Sequence, residues 1–164
     1  MNVCILGNGL SSLALAKSLV NIGLNVDIIF DEKKIKNNYD RTIGISKVNL
    51  EFFNKNILNI NKLSWNINKI EIYSENLNNE KILNFQNNDQ RLFSVIRNYE
   101  LINHLIKNLK KEKLCKFKKN LVKKNILTQE YDLIINCEFS NFITKKFFTK
   151  RITKNYDNYA YTTI

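Results

Sequence analysis

The stretch NVCILGNGLSSLALAKSLVNIGLNVDIIF, residues 2–30, constrains the fold more than any other part of the chain. Its first five residues are a short apolar run ending on a glycine, the pattern of a buried parallel strand. From Leu10 to Ile22 the apolar residues Leu10, Leu13, Ala14, Ala16, Leu19 and Val20 recur at helical spacing, and Gly23 follows as a C-terminal cap. LNVDIIF (24–30) is rich in Val and Ile and reads as the next strand. Strand, glycine turn, helix, glycine and strand in about 30 residues make a βαβ unit, whose crossover is right-handed. The predicted class is α/β.

Between the first strand and the helix stands Gly7-Asn8-Gly9-Leu10-Ser11-Ser12. A glycine turn there lets backbone N–H groups approach a pyrophosphate, and the helix N-terminus adds partial positive charge. In such turns the first glycine makes the tight bend, the second admits the phosphate, and the third lets helix and strand pack closely. Ser12 holds the third seat and is small enough to keep that packing. A dinucleotide site also needs an acid at the end of the second strand, to hold a ribose hydroxyl. Counting from Gly7, that position falls on Phe30, with Asp31 and Glu32 next, so Asp31 serves if the strand end shifts by one residue. A plain two-glycine turn followed by a solvated DEKK strand exit is the competing reading.

The rest of the chain is one domain's worth of elements. Its 164 residues can build one sizeable core, and 44% apolar content argues against disorder. GISKVNLEFFNKNIL (44–58) reads as a helix with Val48, Phe52 and Ile57 inward. INKIEIYSEN (67–76) and EKILNFQN (80–87) read as a hairpin across an Asn-rich turn, and RLFSVI (91–96) as a further strand. NYELINHLIKNLKKEK (98–113) is amphipathic, with Leu101, Leu105, Ile106 and Leu109 on one side. LCKFKK (114–119) and YDLIINC (131–137) are strands, the second a buried one, and the aromatic run at the end of 147–164 looks like an unfinished strand.

The net charge of +11 would suggest a nucleic-acid or membrane partner. A duller cause competes: with 22 lysines against 4 arginines, no proline and 4 glycines, the composition follows A/T-rich codons. The three cysteines, Cys4, Cys115 and Cys137, sit in apolar runs without metal-like spacing, so buried thiols in a reducing, cytoplasmic compartment are expected. No apolar run approaches the ~20 residues that cross a bilayer, and the start lacks the pattern of a signal peptide. His104 has no nearby ligand or triad partner, Ser11 and Ser12 have no partner histidine, and Trp65 reads as a packing residue. The sequence nominates neither a catalytic residue nor a metal ligand.

Five stretches in order make the chain resemble the FAD-dependent aromatic hydroxylases (group A flavin monooxygenases), in particular their ubiquinone-biosynthesis branch. They are ILGNGLSSLALAKSLVNIGLNVDIIFDE, DRTIGIS, LFSVIRNYELINHLI, YDLIINCEFSNFITKKF and NYDNYAYTTI. The resemblance implies a Rossmann-like FAD-binding parallel sheet over 1–164, the N-terminal portion of the family fold. An antiparallel excursion would occupy 67–96, and the substrate sheet would begin at 156–164. It implies FAD as cofactor and NAD(P)H as reductant, with hydroxylation of a polyprenylated phenol as the activity. Gly7, Asn8, Gly9, Leu10, Ser11 and Ser12 would cradle the pyrophosphate, Asp31 would stand for the ribose acid, and Arg41 and Arg97 would contact FAD. The implied partners are a phenolic, lipid-like small molecule and a ubiquinone-biosynthesis complex, with a cytoplasmic or membrane-peripheral place and no nucleic acid. Glu138-Phe139 stands where the family has Asp-Gly, and the family's later Gly-Asp segment has no counterpart before Ile164. A truncated, non-catalytic nucleotide-binding relative therefore stays open, and more remotely a basic nucleic-acid-binding domain.

Overall fold

The computed structural model describes residues 1–30, 41–86, 92–119, 131–139, 141–148, 150 and 152–157. It divides into two compact units, Met1–Lys36 with Asn108–Ile164, and Asn37–Lys107. The class is mixed α/β, with one parallel sheet and small antiparallel sheets.

The first unit realises the βαβ pattern. β1 (Asn2–Leu6) pairs in parallel with β2 (Asn25–Phe30), from Asn2↔Asn25 to Leu6↔Ile29, and α1 (Leu10–Asn21) joins them. The helix ends as Gly23 predicts: its N–H bonds Val20 O at 2.9 Å and that of Leu24 bonds Leu19 O at 3.1 Å, with Gly23 at φ +84°. These two bonds form a Schellman motif, whose left-handed residue favours glycine. Two later strands complete the sheet, and α4 (Phe142–Phe147) follows the second. They are β8 (Cys115–Lys119) beside β2 and β9 (Leu133–Asn136) beside β1, giving the order β8-β2-β1-β9.

Strand alternation divides the core between the sheet's two faces. Val3, Ile5, Val26 and Ile28 are buried on one, and α1 turns Leu13, Ala16 and Val20 inward. On the other, Cys4, Leu6 and Ile29 cluster with Ile143 of α4 and with Tyr131, Ile134 and Phe142. Burial on both faces is why β1 and β2 read as continuous apolar runs.

The second unit is antiparallel. β3 (Thr42–Ser46), β4 (Ser64–Ile67) and β7 (Phe93–Arg97) form a sheet in the order β3-β7-β4, while β5 (Lys69–Ser74) and β6 (Glu80–Gln86) form a separate two-stranded ribbon. Asn78 and Asn79 turn the ribbon at φ 52° and 61°, a left-handed conformation that Asn tolerates. α2 (Lys47–Asn56) and α3 (Asn98–Leu109) complete the elements.

Several expectations shift. Antiparallel pairing starts at Thr42, well before 67, because Thr42–Ser46 pairs with β7. That takes Gly44–Ser46 out of the predicted helix, which instead starts where Ser46 Oγ accepts the Asn49 N–H at 3.2 Å. Its inward face is Leu50, Phe53 and Ile57, at i, i+3 and i+7, and not the one through Val48 and Phe52, which are 73% and 59% exposed. α3 stops at Leu109 because Lys110–Lys113 offers nothing apolar to bury; Leu101, Leu105 and Leu109 are its buried face. Leu133 is 42% exposed, since among the described strands β9 lies at the sheet's edge. Cys4 and Cys115 are buried as expected, but Cys137, just past β9, is exposed. Of the final aromatic run, Tyr156 and Asp157 form no strand, and 158–164 lie outside the described residues.

Candidate functional site

The glycine turn links the C-terminal end of β1 to the start of α1. Gly7 donates its N–H to Ile29 O at 2.8 Å and adopts φ +111°, which L side chains rarely adopt. A β-carbon there would lie 3.2 Å from Ser12 Oγ and 3.5 Å from the Glu138 β-carbon. Ser12 is itself buried, so it packs into the space beside Gly7, as the third-glycine seat requires.

Gly9 is different. Its φ −71° and ψ 175° suit any residue, and a β-carbon would meet nothing within 4 Å among the described residues. The protein's own packing gives no reason for a glycine there; what Gly9 leaves is open space at the head of α1. Leu13 N–H, bonded to Gly9 O at 3.0 Å, opens the helical ladder, so the amides of Leu10, Ser11 and Ser12 precede it. No acidic side chain sits in the first turn to offset the positive end of the helix. Asn8 is half-buried and Ser11 exposed. The geometry can receive an anion on backbone N–H groups, and it fits a pyrophosphate.

Beside this turn the β9–α4 connection is held by side chains. Asn136 Oδ1 accepts from Glu138 N–H at 3.1 Å and from Asn141 Nδ2 at 2.6 Å. Asn141 caps α4 by accepting the Thr144 N–H at 3.0 Å, and the Thr144 hydroxyl donates to Glu138 O at 3.1 Å. This network occupies the place where the family has Asp-Gly, and Phe139 is exposed. Sequence reasoning missed it, although an asparagine, Asn141, directly before the apolar pair Phe142-Ile143 is an N-cap signal.

Arg41 and Arg97 meet at one end of the antiparallel sheet. Thr42 pairs with Arg97, and Asn98 donates its N–H to Arg41 O at 2.8 Å. Both side chains are exposed. The Arg97 guanidinium lies 4.9 Å from the centre of the Trp65 ring, and its Nη1 is 3.4 Å from Glu100 Oε1. Hydrogen bonding with Tyr99, and then with Glu100, raises its pKa further above an already high value. Trp65 is thus no core residue: it is 49% exposed. The glycine turn belongs to the first unit and the arginines to the second. Asp31 lies outside the described residues.

A second polar group, unforeseen from the sequence, lines a cavity of about 410 Å³ in the first unit, with Asn25, Asp27, Lys116, Lys118 and Tyr131 in its wall. Asp27 Oδ2 pairs with Lys118 Nζ at 2.6 Å and accepts the Tyr131 hydroxyl at 2.8 Å. Burial, then the bond to Asp27, pushes Tyr131 up to about 12. Burial, reinforced by the Asp27 charge, likewise pushes the Cys4 thiol up to about 12. Cys115 rises to about 11, again through burial first. Both buried cysteines are therefore protonated at neutral pH and unsuited to nucleophilic work.

No protein-family model matches the chain, and no curated protein sequence matches it. Its fold does match solved structures. With p-nitrophenol 4-monooxygenase PnpA from Pseudomonas putida DLL-E4 the TM-score is 0.60 at 17% identity, over 72% of this chain and 31% of that one. With PqsL from Pseudomonas aeruginosa, a probable FAD-dependent monooxygenase, it is 0.68 at 12% identity, over 95% of this chain and 48% of that one. A 2-methyl-3-hydroxypyridine-5-carboxylic acid oxygenase variant gives 0.58 at 13% identity, over 72% and 31%. The chain thus spans 31% to 48% of the length of these proteins and shares the fold of part of each.

Proposed function

We propose that the chain is the FAD-binding portion of an FAD-dependent monooxygenase. The observation that carries this reading is Gly9: a glycine whose β-carbon side faces open space, at the head of a helix with no first-turn acid, in a strand–turn–helix at the C-terminal end of a parallel strand. The likeness in fold to monooxygenase and oxygenase structures supports it. The amides from Leu10 to Ser12 hold the pyrophosphate, while Gly7 and Ser12 keep the turn tight. Arg41 and Arg97 belong to the same cofactor by the family resemblance. Bound FAD, reduced by NAD(P)H, supplies the oxygen-activating chemistry; the protein's part is to bind, orient and exclude water. The finer reading, from the five ordered stretches, is the ubiquinone-biosynthesis branch. It takes a lipid-like phenol as substrate, in the cytoplasm or at a membrane surface. No helix among the described residues is long and apolar enough to cross a membrane.

One observation favours a second reading, a nucleotide-binding relative without hydroxylase activity. Phe139, exposed just past β9, stands where the family's Asp-Gly pair has the glycine that permits close approach. The experiment is to gel-filter the purified chain with excess FAD and record its visible spectrum, then add NAD(P)H and a polyprenylated phenol. Co-eluting flavin absorbance with bleaching and a hydroxylated product is expected. Flavin uptake without reduction or product favours the second reading, and no flavin uptake overturns the first and strengthens the second.

A further inference from the structure

Trp65 is the only tryptophan of the chain, and it packs on the outer face of the antiparallel sheet. In the register of β4 and β7, Trp65 lies opposite Val95, two residues before Arg97. Residues two apart on a strand share a face, so Trp65 and Arg97 are diagonal cross-strand neighbours, within reach for long and aromatic side chains. The opposite face of β7 is the buried one, with Ser94 at 0% and Ile96 at 1% exposure. The tryptophan therefore contributes little to the core, and its placement calls for another account.

We propose that Trp65 is the positioning residue of Arg97, a ring platform that fixes the direction in which the guanidinium meets an anionic ligand. This deepens the FAD reading and rests on it for the identity of the anion. The ring supports one face of the guanidinium at 4.9 Å, and Glu100, one helical turn on, holds Nη1 at 3.4 Å. An arginine free to rotate loses much rotamer freedom on binding. One already stacked loses less, and the difference appears as affinity. Arginine stacks on an aromatic face where lysine offers only a point charge, which gives a reason for an arginine here in a chain of 22 lysines and 4 arginines.

Two measurements on the full 164-residue chain test it. The first needs no ligand: the Arg97 Nε–H resonance is expected at a ring-current-shifted position in the wild type and at the random-coil position in Trp65→Ala. The second is a double-mutant cycle read by FAD binding. Trp65→Ala is expected to weaken FAD about fivefold, as an exposed cation–π contact allows, and Trp65→Phe to recover most of that loss. Trp65→Ala added to Arg97→Ala is expected to cost nothing further. An Arg97 resonance at its random-coil position in the wild type overturns the proposal, as does a Trp65→Ala loss that is absent or adds in full to that of Arg97→Ala. If the wild type takes up no FAD while the ring-current shift is present and lost in Trp65→Ala, the FAD reading fails and the positioning role of Trp65 stands.

Discussion

Gly7 and Gly9 are two residues apart and identical in sequence, yet they answer to different constraints. Gly7 is required by the fold, with φ +111° and Ser12 Oγ 3.2 Å from any added β-carbon. Gly7→Ala is expected to cost about 2 kcal/mol in urea unfolding, since the strained backbone region and the contact both count against it. Gly9 has neither constraint. Gly9→Ala is expected to change stability by less than about 1 kcal/mol, the range of a lost N-cap preference, and yet to weaken FAD retention. A Gly9→Ala chain that kept full FAD affinity would remove the main support for the turn as a phosphate cradle. The sequence marked the turn but could not divide the labour, because spacing records where glycines stand and not what surrounds them. Trp65 shows the same limit: its role depends on a register with β7, beyond two intervening strands, at Val95 and Arg97.

At the scale of elements, what could be read depended on how local the cause was. β1, α1 and β2 were legible almost to the residue, because apolar run, helical spacing and the Gly23 cap all lie within the segment they shape. The β5–β6 ribbon was legible for the same reason, through its Asn turn. The first strand of the antiparallel sheet was not. Gly44–Ser46 looks like the head of a helix until β7, some fifty residues later, claims the backbone hydrogen bonds of Thr42–Ser46. The face of α2 was misjudged for a separate reason: apolar residues stand on both sides of this short helix, and only packing shows that the stripe through Leu50 and Phe53 is the covered one. The β9–α4 turn offers a direct check on its newly visible cap. Asn141→Ala removes the acceptor of the Thr144 N–H and one donor to Asn136. It is expected to lower stability by about 1 kcal/mol, measured by thermal unfolding, with Asn141→Asp recovering most of the loss.

For the whole molecule, charge and burial pull the pH dependence of stability in opposite directions. The net charge of +11 means self-repulsion at neutral pH, which eases as pH rises toward the pI near 9.6. Against this stand three groups of the first unit whose protons are held more tightly folded than unfolded: Cys4, Cys115 and Tyr131, pushed up to about 12, 11 and 12. Their contribution is complete below the unfolded values of 9.0 for the thiols and 10.0 for the phenol, and is lost as pH climbs through the folded ones. The two effects separate with salt, because at ~1 M ionic strength the screening length is about 3 Å and surface repulsion fades while buried groups are little affected. In high salt the urea midpoint is therefore expected to hold steady to about pH 8 and then to fall steadily toward pH 11. Cys4→Ala is expected to start from a lower stability, because it leaves a cavity beside Leu6 and Ile29, and to lose less between pH 9 and 11. A Cys4→Ala chain with the wild-type slope would show that the alkaline loss comes from elsewhere than the buried face of β1.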